Sequence, residues 1–226
     1  MPKKTGIAML AAGAVLILAA LLLLLYNRYE SARAGQEAEI LLASVEEAIR
    51  ERTAVSPVPS AAADATAAGT DAENASPTPS ASPLAPELPV VKQDGYEYIG
   101  FLEFCTTGLK LPVMADWDFE RLSIAPCRHI GSSRTDDLVI AAHNFDTHFG
   151  CLKDLQPGDI VKFTDMDAIV NTYAVVKTET HQPTDVEEVL NSGYDLVLYT
   201  CTIGGKTRVT VFCNRTEPLP ASPAHG

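Results

Sequence analysis

Residues 195–215 read DLVLYTCTIGGKTRVTVFCNR, and this stretch limits what the chain can fold into more than any other. Two β-rich runs, Leu196 to Cys201 and Thr207 to Asn214, flank Gly204-Gly205. A Gly pair accepts the positive φ values that a two-residue hairpin turn demands. With these glycines as the turn, Ile203 pairs with Lys206, Thr202 with Thr207 and Cys201 with Arg208. Directly opposed residues of an antiparallel pair share a face, with Cβ atoms about 5 Å apart. The register therefore sets a thiol beside a guanidinium at the end of the hairpin. A fixed positive charge favours the thiolate, the nucleophilic form of cysteine, and the same donors can bind an oxyanion or a carbonyl.

Upstream, the composition divides the chain into segments. Lys3 and Lys4 precede an uninterrupted apolar run, Gly6 to Tyr26, about the 20 residues that cross a hydrocarbon core as a helix. An uncleaved signal anchor fits this run better than a cleaved signal peptide, whose apolar region spans only about 7–15 residues, although Ala32-Arg33-Ala34 does offer a cleavage-like site. Arg28 and Arg33 partly offset the two lysines in the positive-inside count; a short tail inside (residues 1–5) and a large domain outside is the better orientation. Within residues 27–54, Gln36 to Arg52 carries Ile40, Leu41, Ala43 or Ser44, Ala48 and Ile49 at helical spacing, which predicts an amphipathic helix extending a stalk. Residues 55–90 hold most of the prolines among Ala, Ser and Thr, a composition that cannot bury enough apolar area to offset chain entropy. They read as a semi-extended linker. Residues 218–226 read as a flexible tail.

From residue 91 to 217 the pattern is one of short β-favouring runs separated by turn signals. Strands are predicted near Tyr96 to Phe104, Lys110 to Val113, Leu138 to Ala142, Ile160 to Asp165, Asn171 to Glu179, Asp195 to Cys201 and Thr207 to Asn214. Thr147 to Leu155 predicts a helical turn, and Thr184 to Asn191 a helix with a capping box from Thr184 and Glu187. The fold class is mainly β: a closed or nearly closed barrel of about seven or eight strands with short helices, preceded by one transmembrane helix and a disordered linker.

The formal net charge of −12 argues against a nucleic-acid surface, which needs clustered Lys and Arg, and no such stripe occurs, so nucleic acid is not an expected partner. No zinc spacing or EF-hand pattern occurs, and no cofactor is expected. Among five cysteines, Cys201 stands out by its place at a strand end opposite Arg208. Cys105, Cys127, Cys151 and Cys213 read as structural, with a disulfide between some pair of them left open. His143 ends an apolar strand, where a group is held more rigidly than in a loop. His148 is its rival, and His129 and His181 read as surface residues.

The pattern Tyr-Thr-Cys, six residues, then Arg on the next strand, with an upstream strand ending in His (LVIAAHN), resembles the sortases of Gram-positive bacteria, cysteine transpeptidases that join proteins to the cell envelope. Ala142 stands where that family usually has Gly. The resemblance implies that His143, Cys201 and Arg208 form the catalytic set and that the substrate is a secreted protein with a C-terminal, LPxTG-like sorting signal. It also implies a primary amine of the cell wall or of a pilin as acceptor, and an extracytoplasmic catalytic domain on a single-pass membrane protein. Two other classes stay open: an anchored, non-enzymatic β-domain that binds wall material, and a papain-like peptidase. The latter places Cys before His and at a helix N-terminus, the reverse of the order here.

Overall fold

The computed structural model describes residues 2–55 and 85–216. Most of the expected linker and the tail 218–226 lie outside the described residues. The N-terminal apolar run and the amphipathic stretch form one helix, α1 (Pro2–Val55). No proline interrupts it after Pro2. Leu16 to Leu25 project outward without protein neighbours, and this helix is long and apolar enough to cross a membrane.

After residue 85 come β1 (Val91–Gln93), β2 (Tyr96–Phe104), β3 (Leu109–Met114), α2 (Phe119–Ile124), β4 (Cys127–Ile130) and β5 (Leu138–Ala141). A 3₁₀ helix (Phe149–Asp154), β6 (Ile160–Asp165), β7 (Val170–His181), α3 (Val186–Leu190), β8 (Leu196–Cys201) and β9 (Arg208–Arg215) follow. The strands order as β2-β3-β4-β5-β8-β9-β7-β6, and β6 pairs back onto β2, so eight strands close a barrel to which β1 adds an edge. Sequence patterning missed β1 and β4, both too short to show alternation. Closure passes through Gly100, at φ +145°, where a Cβ would lie 1.9 Å from the Thr164 carbonyl oxygen; only glycine lets β2 approach β6 this closely.

Strand alternation sorts the side chains. Leu138, Ile140 and Ala142 on β5 and its end, Leu196 and Leu198 on β8, and Val211 and Cys213 on β9 fill the barrel interior with Phe104, Phe149 and Phe163. The intervening Val139, Val197 and Phe212 face outward and are covered by Val189 of α3. Leu88, which the composition assigns to the linker, is 5% exposed and belongs to the interior cluster, so the folded domain begins before Val90.

The second half of α1 is not a free stalk. Leu41, Val45 and Ile49 pack on Tyr98, Met114, Ala125, Cys127 and Met166, while Arg52 pairs with Asp167 at 2.9 Å and Lys110 with Glu46 at 3.4 Å. The buried seam is Ala34, Ala38, Leu41, Val45 and Ile49, a run of three- and four-residue steps that shares one helix face. Ile40, placed by periodicity on the apolar face, is 69% exposed. The expected capping box is also absent: α3 starts later, with Asp185 at its N-cap and no side-chain cap bond, while Thr184 donates to Asp185 at 3.2 Å. All five cysteines are free thiols.

Candidate active site

The hairpin register is the one the glycines predict, but the turn is built differently. Gly205 N–H donates to Thr202 O at 2.8 Å, and Thr202 N–H to Thr207 O at 3.0 Å. The reversal therefore spans Ile203 to Lys206, with Gly204 at φ +86° and Gly205 at φ +72°, and Ile203 does not pair with Lys206. Both turns leave Thr202 facing Thr207, whose hydroxyls share a bond at 2.9 Å. Cys201 consequently stands opposite Arg208, as expected. Arg208 Nη1 donates to Gly205 O at 3.0 Å and Thr207 O at 3.1 Å, so the turn carbonyls steady the guanidinium.

His143 reaches this place through parallel pairing. Ala141 aligns with Tyr199, Ala142 N–H donates to Tyr199 O at 3.3 Å, and Thr200 Oγ1 donates to Ala142 O at 2.8 Å. His143 lies two residues past the last pair of this register and Cys201 two past Tyr199, so the same register carried on would set the two side by side, about 4.8 Å apart in backbone spacing. Alternation turns His143 outward, like Cys201. It is exposed at the rim, its ring stacked on Phe145 at 4.1 Å and 15°. His148, the rival, is fully buried against α1, and neither ring nitrogen has a hydrogen-bond partner among the described residues. Burial lowers its pKa to about 4, so near neutral pH it is an uncharged packing group.

One residue absent from the expected site joins the row. His181, at the end of β7, pairs with Arg208 on the side away from Cys201. Its ring lies 3.5 Å from Glu179 and edge-on to Phe212, and its side chain is 12% exposed, so it is not a surface residue. The β7–β9 ladder carries a register shift between Val175 and Lys177, which is why strand alternation alone could not align His181 with Arg208.

Cys201, Arg208 and His181 line a groove of about 300 Å³, walled by Leu122, Val186, Val189 and Leu190 and by the aromatic rings of Trp117 and Tyr199. His129 is part of that wall: its Nδ1 lies 2.8 Å from Tyr199 Oη, and Trp117 meets it edge-on at 5.0 Å. Burial lowers the His129 pKa and pushes Tyr199 up to about 12. A larger neighbouring cleft, about 610 Å³, shares Trp117 and His129 but contains no nucleophilic thiol. The other cysteines have different surroundings: burial pushes Cys127 and Cys213 up to about 12 and Cys151 to about 11, holding them as protonated thiols, and Cys105 sits on an exposed turn. Among the described residues no group of His, Cys, Asp or Glu is arranged to hold a metal ion.

This arrangement has relatives. The family model described as Sortase domain matches residues 103–216, half of the chain. Solved structures similar to the chain include sortase C1 from Streptococcus suis (26% identity, 54% of this chain and 74% of that one, TM-score 0.46). Sortase C from Streptococcus pneumoniae (25%, 54% and 70%, 0.48) and sortase C from Clostridium perfringens SM101 (21%, 53% and 70%, 0.45) are others. No curated protein sequence matches. The domain match runs from β2 to the end of β9, taking in the strands that carry the His143, Cys201 and Arg208 row, and the chain belongs to the sortase family.

Proposed function

We propose that the chain is a membrane-anchored cysteine transpeptidase that cleaves an LPxTG-like sorting signal and transfers the cut protein to an amine of the cell envelope or of a pilin. The observation that carries this reading is the pairing of Cys201 with Arg208 in one groove, with Ala142, the residue before His143, bonded to Tyr199 and Thr200 just ahead of Cys201.

Cys201 Sγ, as thiolate, attacks the carbonyl carbon of the scissile peptide bond. The developing oxyanion is met by Arg208 and by backbone N–H groups, donors that need not reorganise as charge builds. Protonated His143 gives its proton to the leaving amine, the C–N bond breaks, and a thioester to Cys201 remains. An acceptor amine then attacks that thioester, neutral His143 takes the surplus proton, and Cys201 leaves as thiolate. The apolar walls from Leu122 and α3 suit an extended peptide that carries the aliphatic residue of such a signal. The outward apolar face of α1 between Leu16 and Leu25 supports anchoring in a membrane with the barrel outside.

The test is to supply the full chain, in nanodiscs, with LPxTG-type peptides and an amine such as triglycine. Mass spectrometry should find an acyl adduct on Cys201 and a transpeptidation product. Absence of both over a broad peptide set, with Cys201 unreactive toward thiol reagents at neutral pH, would favour the non-enzymatic binding domain.

A further inference from the structure

The segment after His143 is folded tightly on itself. Phe149 N–H donates to His143 O at 3.1 Å, and His148 N–H and Gly150 N–H both donate to Phe145 O at 2.9 Å. Phe145 in turn stacks on the His143 ring. The placement of that ring thus depends on the whole loop from 143 to 150.

The back of this loop rests on α1. Thr147 Oγ1 donates to Ser31 O at 2.8 Å, a contact between residues 116 apart in sequence. Gly35 lies against the same threonine: a Cβ there would sit 2.7 Å from Thr147 Cγ2 and 2.9 Å from Thr147 Cβ. Those atoms belong to a β-branched side chain that cannot swing clear without moving its backbone. Ala34 and Ala38, on either side of Gly35, are buried, and Ala38 packs in the barrel's interior cluster with Phe149 and Leu152. Buried His148, flanked by Thr147 and Phe149, closes the contact. The small residues at 34, 35 and 38 let the helix backbone come close enough to seat the loop.

We infer that the juxtamembrane part of α1 is a positioning element of the active site: Ser31 and Gly35, by seating Thr147, hold the loop that aligns His143 with Cys201. This rests on the proposed role of His143. The membrane anchor is therefore more than a tether, because the same helix that crosses the bilayer sets the geometry of the acid–base group. The polar groups of the groove stand on other strands: α1 packs on β1, β2, β3 and α2, reaching the groove only through the Leu122 wall, while Cys201, Arg208 and His181 stand on β8, β9 and β7.

Gly35→Ala in the full chain tests the inference. Alanine is a better helix former than glycine, so α1 itself is not weakened, but the new methyl must displace Thr147. Since a misplacement of about 1 Å can cost up to about a hundredfold in rate, kcat for peptide transfer should fall about tenfold or more, with KM for the sorting peptide within about twofold. Thr147→Ser removes Cγ2, the nearest obstructing atom, and keeps the hydroxyl that donates to Ser31 O, so the double variant Gly35→Ala/Thr147→Ser should recover part of the loss, a non-additivity expected only of residues in contact. Gly13→Ala, where an added Cβ meets nothing within 4 Å, should keep the parent rate. Amide exchange of residues 143–150 should accelerate in Gly35→Ala. A Gly35→Ala chain with parent kcat and unchanged exchange overturns the inference, as does a double variant no faster than the single one. If the parent chain transfers no peptide, the proposed function fails, and the exchange comparison still decides whether α1 orders the loop.

Discussion

Val45→Ala separates a docked helix from a free stalk. Val45 is 1% exposed and sits among Leu41, Ile49, Tyr98, Met114 and Cys127. The substitution deletes two carbons' worth of buried apolar surface at about 0.8 kcal/mol each, and the cavity left behind brings the cost to about 2 kcal/mol. Alanine's higher helix propensity returns a few tenths at most. If the second half of α1 lifts off the barrel as a unit, its opening equilibrium should rise roughly thirtyfold, since every 1.4 kcal/mol is tenfold. Cys127 reports that opening: it is fully buried in the same cluster, and its alkylation, followed by mass spectrometry in nanodiscs, should accelerate by that factor. Cys213, inside the barrel, should label at the parent rate. Ile40→Ala, on the same helix but 69% exposed, should change Cys127 labelling by about twofold or less, as surface substitutions do. Equal labelling of Cys127 in the two variants would refute docking of α1, and equal acceleration of Cys213 would refute its separate opening.

Cys201→Ala should abolish thioacyl formation and leave the fold intact, because a methyl group cannot attack a carbonyl; an acyl adduct on another cysteine would sink the assignment. His143→Ala should lower turnover about a hundredfold or more, as loss of a general acid does, and a milder loss would remove His143 from that role. Arg208→Lys should fold normally and lose on the order of a hundredfold in acyl transfer, since an ammonium cannot reproduce the planar fork steadied by Gly205 O and Thr207 O; near-normal turnover would reduce Arg208 to a general positive charge. His148 makes stability depend on pH. With its pKa lowered from 6.5 to about 4 by burial, and with His143 and Glu37 the charged groups around it, the unfolded chain takes up this proton at higher pH than the folded one. Stability is therefore complete above about pH 6.5 and falls as pH drops toward 4, by on the order of 3 kcal/mol. His148→Leu should flatten denaturant-unfolding midpoints across that window, and an unchanged slope would contradict the buried neutral state.

The barrel class, the apolar span and the pairing of Cys201 with Arg208 were determined by sequence, because each rests on local chemistry: alternation, an unbroken run of apolar residues, and a glycine turn. The pairing held although the turn did not, since any loop symmetric about Gly204-Gly205 leaves Thr202 opposite Thr207. The parallel pairing of β5 with β8, which carries the chain toward His143 alongside the end of β8, joins strands far apart in the chain and leaves no mark in either one. His181 stayed hidden for a similar reason, its alignment with Arg208 depending on an irregular ladder. On α1 the sequence offered apolar residues in two phases, and Ile40 and Val45 look alike until there is a surface to choose between them. That surface is built from β2, β3, β4 and the turn after β6, which meet only when the barrel closes, so tertiary structure alone decided that Val45 is buried, that Ile40 faces solvent, and that the helix leaving the apolar span reaches the loop of His143.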